Sequence, residues 1–237
     1  MSNYYCFISG LHNVDIGDER ITYSVKDFRT ELEEVLSKTD KKIIELFYLQ
    51  FENKNLLHRL QNKEIKDEDI ESLSPYYLRQ FAEAYIKGEP INENLSWEDQ
   101  LSALYYEYAS KCKNKFVASW FEFNLNLNNM LITKTCKKYN WNTDAYVIGS
   151  IEDAEFEYSD FVSRIFEENN LQERELQIDV LRWEWLEENS FFHYFSVEQI
   201  FVYLIKLEII ERWVGLDPEE GQRKFRQIID RLKKEIQ

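Results

Sequence analysis

The chain contains little glycine, proline or cysteine for its length. Its 237 residues include 6 Gly, 3 Pro and 3 Cys. So few Gly and Pro leave too few turn residues for the many tight turns of a β-sandwich or barrel, which favours helices. Cys6, Cys112 and Cys136 are scattered without the C-x-x-C spacing of a zinc site. Three isolated thiols are typical of a reducing cytoplasm, where we expect this protein to function.

Positive charge and long hydrophobic runs are also scarce. The chain has 29 Lys and Arg residues against 44 Asp and Glu, a formal net charge of −15. Nucleic-acid phosphates and an anionic bilayer would repel such a chain, so we expect no nucleic-acid binding. No uncharged apolar run reaches the roughly 18 residues that a membrane-spanning helix needs. The opening residues lack the basic and apolar regions of a signal peptide. We therefore expect no direct membrane insertion.

Motifs for catalysis, cofactor binding and metal binding are missing. His12, His58 and His193 are isolated and do not form an H-E-x-x-H motif. The chain has no G-x-x-x-x-G-K-[ST] phosphate-binding loop, so we expect no nucleotide hydrolysis. The acidic clusters at 66–71 and 151–160 fit solvated helix starts better than catalytic carboxylate pairs. We predict no catalytic, cofactor or metal site and no enzymatic activity. A soluble enzyme of unrecognised type is the least favoured of three hypotheses for the function.

Helix signals occur along most of the sequence. Ser24 with Asp27 and Ser96 with Asp99 have the spacing of helix N-terminal caps. Apolar residues recur at steps of three and four between such signals, which indicates an all-α protein, an elongated bundle of about eight helices. The predicted helices are 25–37, 40–62, 74–87, 97–139, 155–169, 171–188, 197–214 and 218–235. The opening "YYCFI" is compatible with either a short strand or a helical turn.

The segment 97–139 is predicted to be one long helix. Its apolar residues continue in register through Tyr108, Cys112 and Phe116. A continuous helix of this length would extend over roughly 65 Å. The sequence pattern is helical on both sides of every candidate linker, so we predict a single domain over 1–237. A two-repeat organisation of about 1–90 and 91–237 is compatible with this prediction.

Four asparagines lie between two apolar stripes of this predicted helix. Asn124 and Asn128 fall along one seam, and Asn126 and Asn129 fall along the other. Their amides either bond to neighbouring helices or form a solvated polar seam. The sequence favours the solvated seam.

The aromatic-rich stretch 180–195 is the first candidate for contact with a partner. Trp183 and Trp185 lie about 200° apart on a helix, which places one in the core and lets the other face a partner. Phe191 and Phe192 also suit an interface. Packing of the stretch into the core is the interpretation that the sequence favours.

Two short segments share a pattern. The pair Asn55-Leu56 aligns with Asn126-Leu127, each pair lying on a predicted helix whose apolar stripe begins with aromatic residues. A polar residue, an Asn-Leu pair and further leucines, repeated along an all-helical chain, resembles the C subunit of V/A-type rotary ATPases, called subunit d in the eukaryotic enzymes. The stretch 202–232 resembles the end of that family. The opening "YYCFISGL" is similar to a bacterial family commonly encoded among V/A-type ATPase subunits.

This resemblance implies a function. The chain would be a non-catalytic component that couples the central stalk to the membrane rotor ring, cytoplasmic and held at the inner face of the membrane through partner proteins. Arg59 and Lys63, at the end of the first matching segment, would offer positive charge to those partners. The alternative is a transient helical adaptor or assembly factor for the same complex. Neither role requires a cofactor.

Overall fold

The fold is all-α, as predicted. The computed structural model describes residues 4–17, 23–149 and 157–216, which contain ten α-helices and no strand. A 3₁₀ helix, Thr143–Ala145, lies between the seventh and eighth. The helices are α1 Tyr5–Gly10, α2 Val25–Val35, α3 Lys38–Gln61, α4 Asp67–Ile70, α5 Tyr76–Lys87, α6 Trp97–Ser110, α7 Lys115–Tyr139, α8 Ser159–Glu167, α9 Leu171–Ser190 and α10 Val197–Leu216.

The predicted caps explain several of these boundaries. Ser24 Oγ accepts a hydrogen bond of 3.1 Å from the Asp27 amide at the start of α2. Ser96 Oγ accepts the equivalent 3.1 Å bond from Asp99 at the start of α6. The opening "YYCFI" forms part of α1, which resolves the choice between strand and helix. The short α4 was not predicted, and the predicted helix 218–235 lies outside the described residues.

The prediction of one helix over 97–139 is wrong. The chain leaves the helix after Ser110 and starts α7 at Lys115. Asn114 caps the new helix by accepting a 3.1 Å bond from the Val117 amide. The two helices form a hairpin, in which Tyr105 of α6 meets Phe121 of α7 edge-to-face at 5.6 Å between ring centroids. The apolar spacing continues across the break because both helices turn their apolar sides toward the same core.

The contacts divide the chain into two compact units. Unit 1 comprises Met1–Lys41 and Glu167–Gln237, and unit 2 comprises Lys42–Phe166. The boundaries do not coincide with the halves at about residue 90 that the sequence suggests, since both Asn-Leu segments fall in unit 2. The two-repeat organisation therefore stays a prediction.

In unit 1, α10 packs against α2 and α9. Phe28 of α2 is fully buried and lies 5.0 Å from the ring of Tyr203 on α10. Ile200, Phe201 and Leu204 of α10 are also fully buried. Because its apolar residues point in several directions, α10 is the central helix of this unit.

In unit 2, α6 packs between α5 and α7. Phe81 of α5 contacts the Trp97 ring at 5.9 Å. The Tyr105 hydroxyl donates a 2.9 Å bond to the Leu46 carbonyl of α3, and the Tyr77 hydroxyl donates a 2.8 Å bond to Asn53 Oδ1. Tyrosines thus fill the core with their rings and satisfy buried acceptors with their hydroxyls.

Candidate partner-binding site

Five exposed aromatic side chains gather in unit 1, around the connection between α9 and α10. We call them the 191–195 surface; its members are Tyr5, Phe191, Phe192, Tyr194 and Phe195. Phe192 is 85% exposed and Phe191 is 62% exposed. The Phe191 ring lies 5.1 Å from Phe192 and 6.2 Å from Tyr194, and Tyr5 lies 4.6 Å from Phe195. A contiguous aromatic surface of this kind is typical of an interaction site.

The helix α1 is fixed to this connection by Tyr4. The Tyr4 amide donates a 3.0 Å bond to the Phe195 carbonyl. The Tyr4 hydroxyl donates a 2.5 Å bond to Asp40 Oδ2 and accepts a 3.2 Å bond from the Ser37 amide. The side chain is buried. These bonds explain why Tyr5, one residue further on, is held beside Phe195. Tyr4 and Tyr5 were not predicted as site residues, although the aromatic opening "YYCFI" is a signal for them.

The two helices that present the surface are joined by a buried carboxylate. Asp179 of α9 is 1% exposed. It accepts a 3.0 Å bond from Arg182 Nη1, a 2.7 Å bond from Trp213 Nε1 and a further bond from Arg212 of α10. Charge-assisted bonds of this kind fix geometry strongly because the acceptor is ionised and desolvated. The α9–α10 pair is therefore a firm base for the exposed rings.

Both tryptophans predicted as contacts are buried. Trp183 is 5% exposed and Trp185 is 6% exposed, so the expectation that one of them faces outward is wrong. Trp183 Nε1 donates a 3.0 Å bond to Glu187, and the Lys206 ammonium lies 4.4 Å from the centre of the Trp183 ring. Their roughly 200° separation does not expose either ring, because α9 buries residues on most of its circumference. Phe191 and Phe192 are the exposed members of the four predicted aromatic contacts.

The other predicted residues lie in unit 2, at separate places on its helices. Arg59 and Lys63 are exposed at the end of α3, where the Arg59 carbonyl accepts a 2.8 Å bond from Glu64. In the matching segments, Leu56 and Leu127 are buried, Asn55 is exposed and Asn126 is half-buried. The leucines are core residues.

Half-buried carboxylates lie on α9 and α10, the helices on either side of residues 191–195 in the chain. Burial raises the pKa of the Glu184 carboxyl on α9, and the neighbouring Glu188 and Glu187 raise it further. Burial also raises the pKa of Glu208 on α10; Glu211 adds to the rise and Arg29 opposes it. The segment 184–198, which contains four of the five rings, carries four glutamates and no Lys or Arg, and this charge favours a basic or polar partner.

Within residues 4–17, 23–149 and 157–216, no three His, Cys, Asp or Glu side chains are grouped so that they could hold a metal ion. The helices in these ranges are also too short or too polar to cross a membrane.

These features define an all-helical protein with a group of exposed aromatic side chains. The chain belongs to the family described as "Protein of unknown function (DUF2764)", whose model matches residues 1–74 and 63–236. No curated protein matches the chain. No solved structure matches it either.

Proposed function

We propose that the chain is a non-catalytic component of a V/A-type ATPase or ATP synthase, comparable to the C subunit that couples the central stalk to the membrane rotor ring. The observation that carries the binding role is the 191–195 surface, with its five exposed aromatic side chains on a fixed helical base. The choice of complex rests on the resemblance of the Asn-Leu segments and of the stretches 4–11 and 202–232 to ATPase-associated families.

The chemistry of the surface supports a protein partner. Phenylalanine and tyrosine rings bury a large area and lose little conformational entropy, so they dominate the energetics of many interfaces. The Phe191 ring contacts both Phe192 and Tyr194 edge-to-face, so these rings are partly ordered before a partner arrives. Preorganisation of this kind lowers the entropic cost of binding.

The packing of the unit suits a part that transmits force. Buried apolar residues of α10 contact both α2 and α9, and Asp179 joins α9 to α10 through charge-assisted bonds. Close-packed interiors have low compressibility and transmit strain. In the proposed role, the protein is cytoplasmic and held at the inner face of the membrane by the rotor ring and the central stalk.

The alternative role is a transient adaptor or assembly factor for the same complex. The exposed aromatic surface fits either role, because permanent and transient interfaces both use aromatic anchors. Stoichiometry separates them. A permanent component is retained in the purified ATPase at a fixed ratio, whereas an assembly factor is absent from it or present in trace amounts.

Deletion of the gene from its host, followed by purification of the ATPase, tests the proposal. We expect the deletion to disassemble or uncouple the ATPase, because the stalk then lacks its attachment to the ring. The isolated protein should hydrolyse no nucleotide. An intact and fully coupled ATPase in the deletion strain would refute the role of rotor component.

A surface variant tests the site. Phe191→Ser combined with Phe192→Ser should fail to restore the deletion strain, with retention in the purified complex reduced at least about tenfold, because truncated aromatic anchors commonly cost about 2 kcal/mol or more. Tyr76→Ser on α5 is the matched control, since Tyr76 is an equally exposed aromatic residue of unit 2. Equal retention of both variants would show that the 191–195 surface is not the contact.

A further inference from the structure

A second group of exposed aromatic rings lies in unit 2, directly after α7. Tyr139, Trp141 and Tyr146 are 56%, 53% and 42% exposed. The rings of Tyr139 and Trp141 stack at 5.3 Å, and Trp141 lies 5.8 Å from Tyr146. We call these three residues the Trp141 surface. Large aromatic rings in contact with one another and open to water mark a binding surface rather than a core.

The backbone that carries these rings is fixed on both sides. Asn140 ends α7 in the left-handed conformation, with φ of 55°, and the Trp141 amide donates a 2.9 Å bond to the Cys136 carbonyl. Further along, Asn129 Nδ2 donates a 2.8 Å bond to the Ile148 carbonyl, and the Ile148 amide donates a 3.1 Å bond to Asn129 Oδ1. The buried side-chain amide of Asn129 thus satisfies both the backbone N–H and the backbone carbonyl of Ile148, as the backbone of a neighbouring β-strand would.

The charge around the Trp141 surface is opposite to that of the chain. Residues 134–149, which contain the three rings, include three lysines and one acidic residue, Asp144, although the whole chain is strongly acidic. Lys137 and Lys138 are exposed at the end of α7. The Lys138 ammonium lies 5.8 Å from the centre of the Tyr139 ring, within the range of a cation–π contact. Positive charge and aromatic rings are therefore presented together.

We propose that the Trp141 surface binds an acidic segment of another protein, one that carries aromatic or aliphatic side chains among its carboxylates. The rings of Trp141 and Tyr146 would contact the apolar side chains, and Lys137 and Lys138 would face the carboxylates. Charge complementarity of this kind directs encounter and fixes register.

A short acidic segment fits better than an extended polyanion. Charges interact over about 8 Å at physiological ionic strength, so a short segment at this surface feels mainly the local lysines. A membrane or a nucleic acid presents negative charge over a wider area and also meets the remaining acidic surface, which repels it. Two copies of the chain would repel each other, because each has a formal net charge of −15. The proposal does not depend on the ATPase role.

Selection of displayed random peptides against the whole protein tests this inference. The counter-selection uses the variant Lys137→Glu, Lys138→Glu, Trp141→Ala. We expect the retained peptides to be enriched in Asp and Glu together with aromatic or aliphatic residues. A synthetic copy of a retained peptide should bind the variant at least about tenfold more weakly, measured by fluorescence anisotropy.

The matched control is Lys113→Glu with Lys115→Glu, which makes the same charge change at the other end of α7. The retained peptide should bind this control within about twofold of the unmodified protein at physiological salt, because those lysines lie many Debye lengths along the helix. Retained peptides without acidic enrichment, or equal loss of binding in both variants, would overturn the proposal. So would binding of anionic vesicles or poly-uridine that is lost only in the first variant, or self-association through the same residues.

Discussion

The 191–195 surface and the Trp141 surface use the same kind of side chain in opposite electrostatic surroundings. The first lies in a segment, 184–198, that carries four glutamates and no Lys or Arg, whereas the second lies beside Lys137 and Lys138. Aromatic rings provide contact area to almost any partner, so they do not by themselves choose one. We therefore expect the charge around the rings to direct the two surfaces to different partners.

The two surfaces are also supported by different buried polar groups. Asp179 is a buried carboxylate that joins α9 to α10 through Arg212 and Trp213, and it also accepts a bond from Arg182 of its own helix. Asn129 is a neutral amide that joins α7 to the backbone of Ile148. A buried charge costs more to leave uncompensated than a buried amide. Removal of each group should therefore have unequal effects.

Asp179→Ala should have the largest effect. The substitution leaves the guanidinium groups of Arg182 and Arg212 and the Trp213 indole without their common acceptor, and breaking a buried ion pair typically costs about 3–5 kcal/mol. The free energy of unfolding, measured by urea denaturation, should fall by that amount. Glu188→Ala on the same helix is the control, because Glu188 is exposed. If both variants unfold at the same urea concentration, Asp179 does not join the helices.

Asn129→Leu should have an intermediate effect. It leaves the Ile148 amide and carbonyl without the bonds that Asn129 provides, which costs about 1–3 kcal/mol, and amide hydrogen exchange at Ile148 should accelerate. Asn126→Leu is the matched control on the same helix; as Asn126 is half-buried, its change should stay within about 0.5 kcal/mol. A larger loss at Asn126 than at Asn129 would contradict the role assigned to the two Asn129 bonds.

Glu208→Gln should have the smallest effect, and it should depend on pH. Because burial raises the pKa of Glu208 in the folded chain, its favourable contribution is present below the ordinary carboxyl pKa of 4.5 and is lost as pH rises through the folded-state pKa. Glutamine does not ionise, so we expect the variant to be more stable at neutral pH by a few tenths of a kcal/mol. The difference should vanish below about pH 4. A stabilisation that appears only in acid would contradict this sign.

The helices were predictable where local chemistry decides them. The caps at Ser24 and Ser96 act through neighbouring backbone amides, and both form the expected bonds. The break between α6 and α7 was not predicted, because the apolar spacing through Cys112 is the same for one helix as for a hairpin. The cap at Asn114 was the available signal.

The candidate site was predictable only in part. Phe191 and Phe192 are exposed as an interface requires, but Trp183 is covered by Lys206, which is distant in sequence. A helical wheel gives the direction of a side chain, but it does not show whether another helix covers that side chain. The asparagine seam shows the same limit. Asn128 donates a 3.1 Å bond to the Tyr106 hydroxyl because the hairpin returns α7 to α6, a contact that spacing alone does not contain.

The division of the chain into two units sets an order for folding during synthesis. Unit 2 is one continuous stretch, Lys42–Phe166, whereas unit 1 needs both Met1–Lys41 and Glu167–Gln237. The ribosome therefore releases every residue of unit 2 before α10, and until then the apolar residues of α2, including Phe28, lack the helix that covers them. Such early exposed segments are where nascent chains aggregate or engage chaperones. Unit 2 can therefore fold during synthesis, whereas α2 can complete its packing only after α10 has been made.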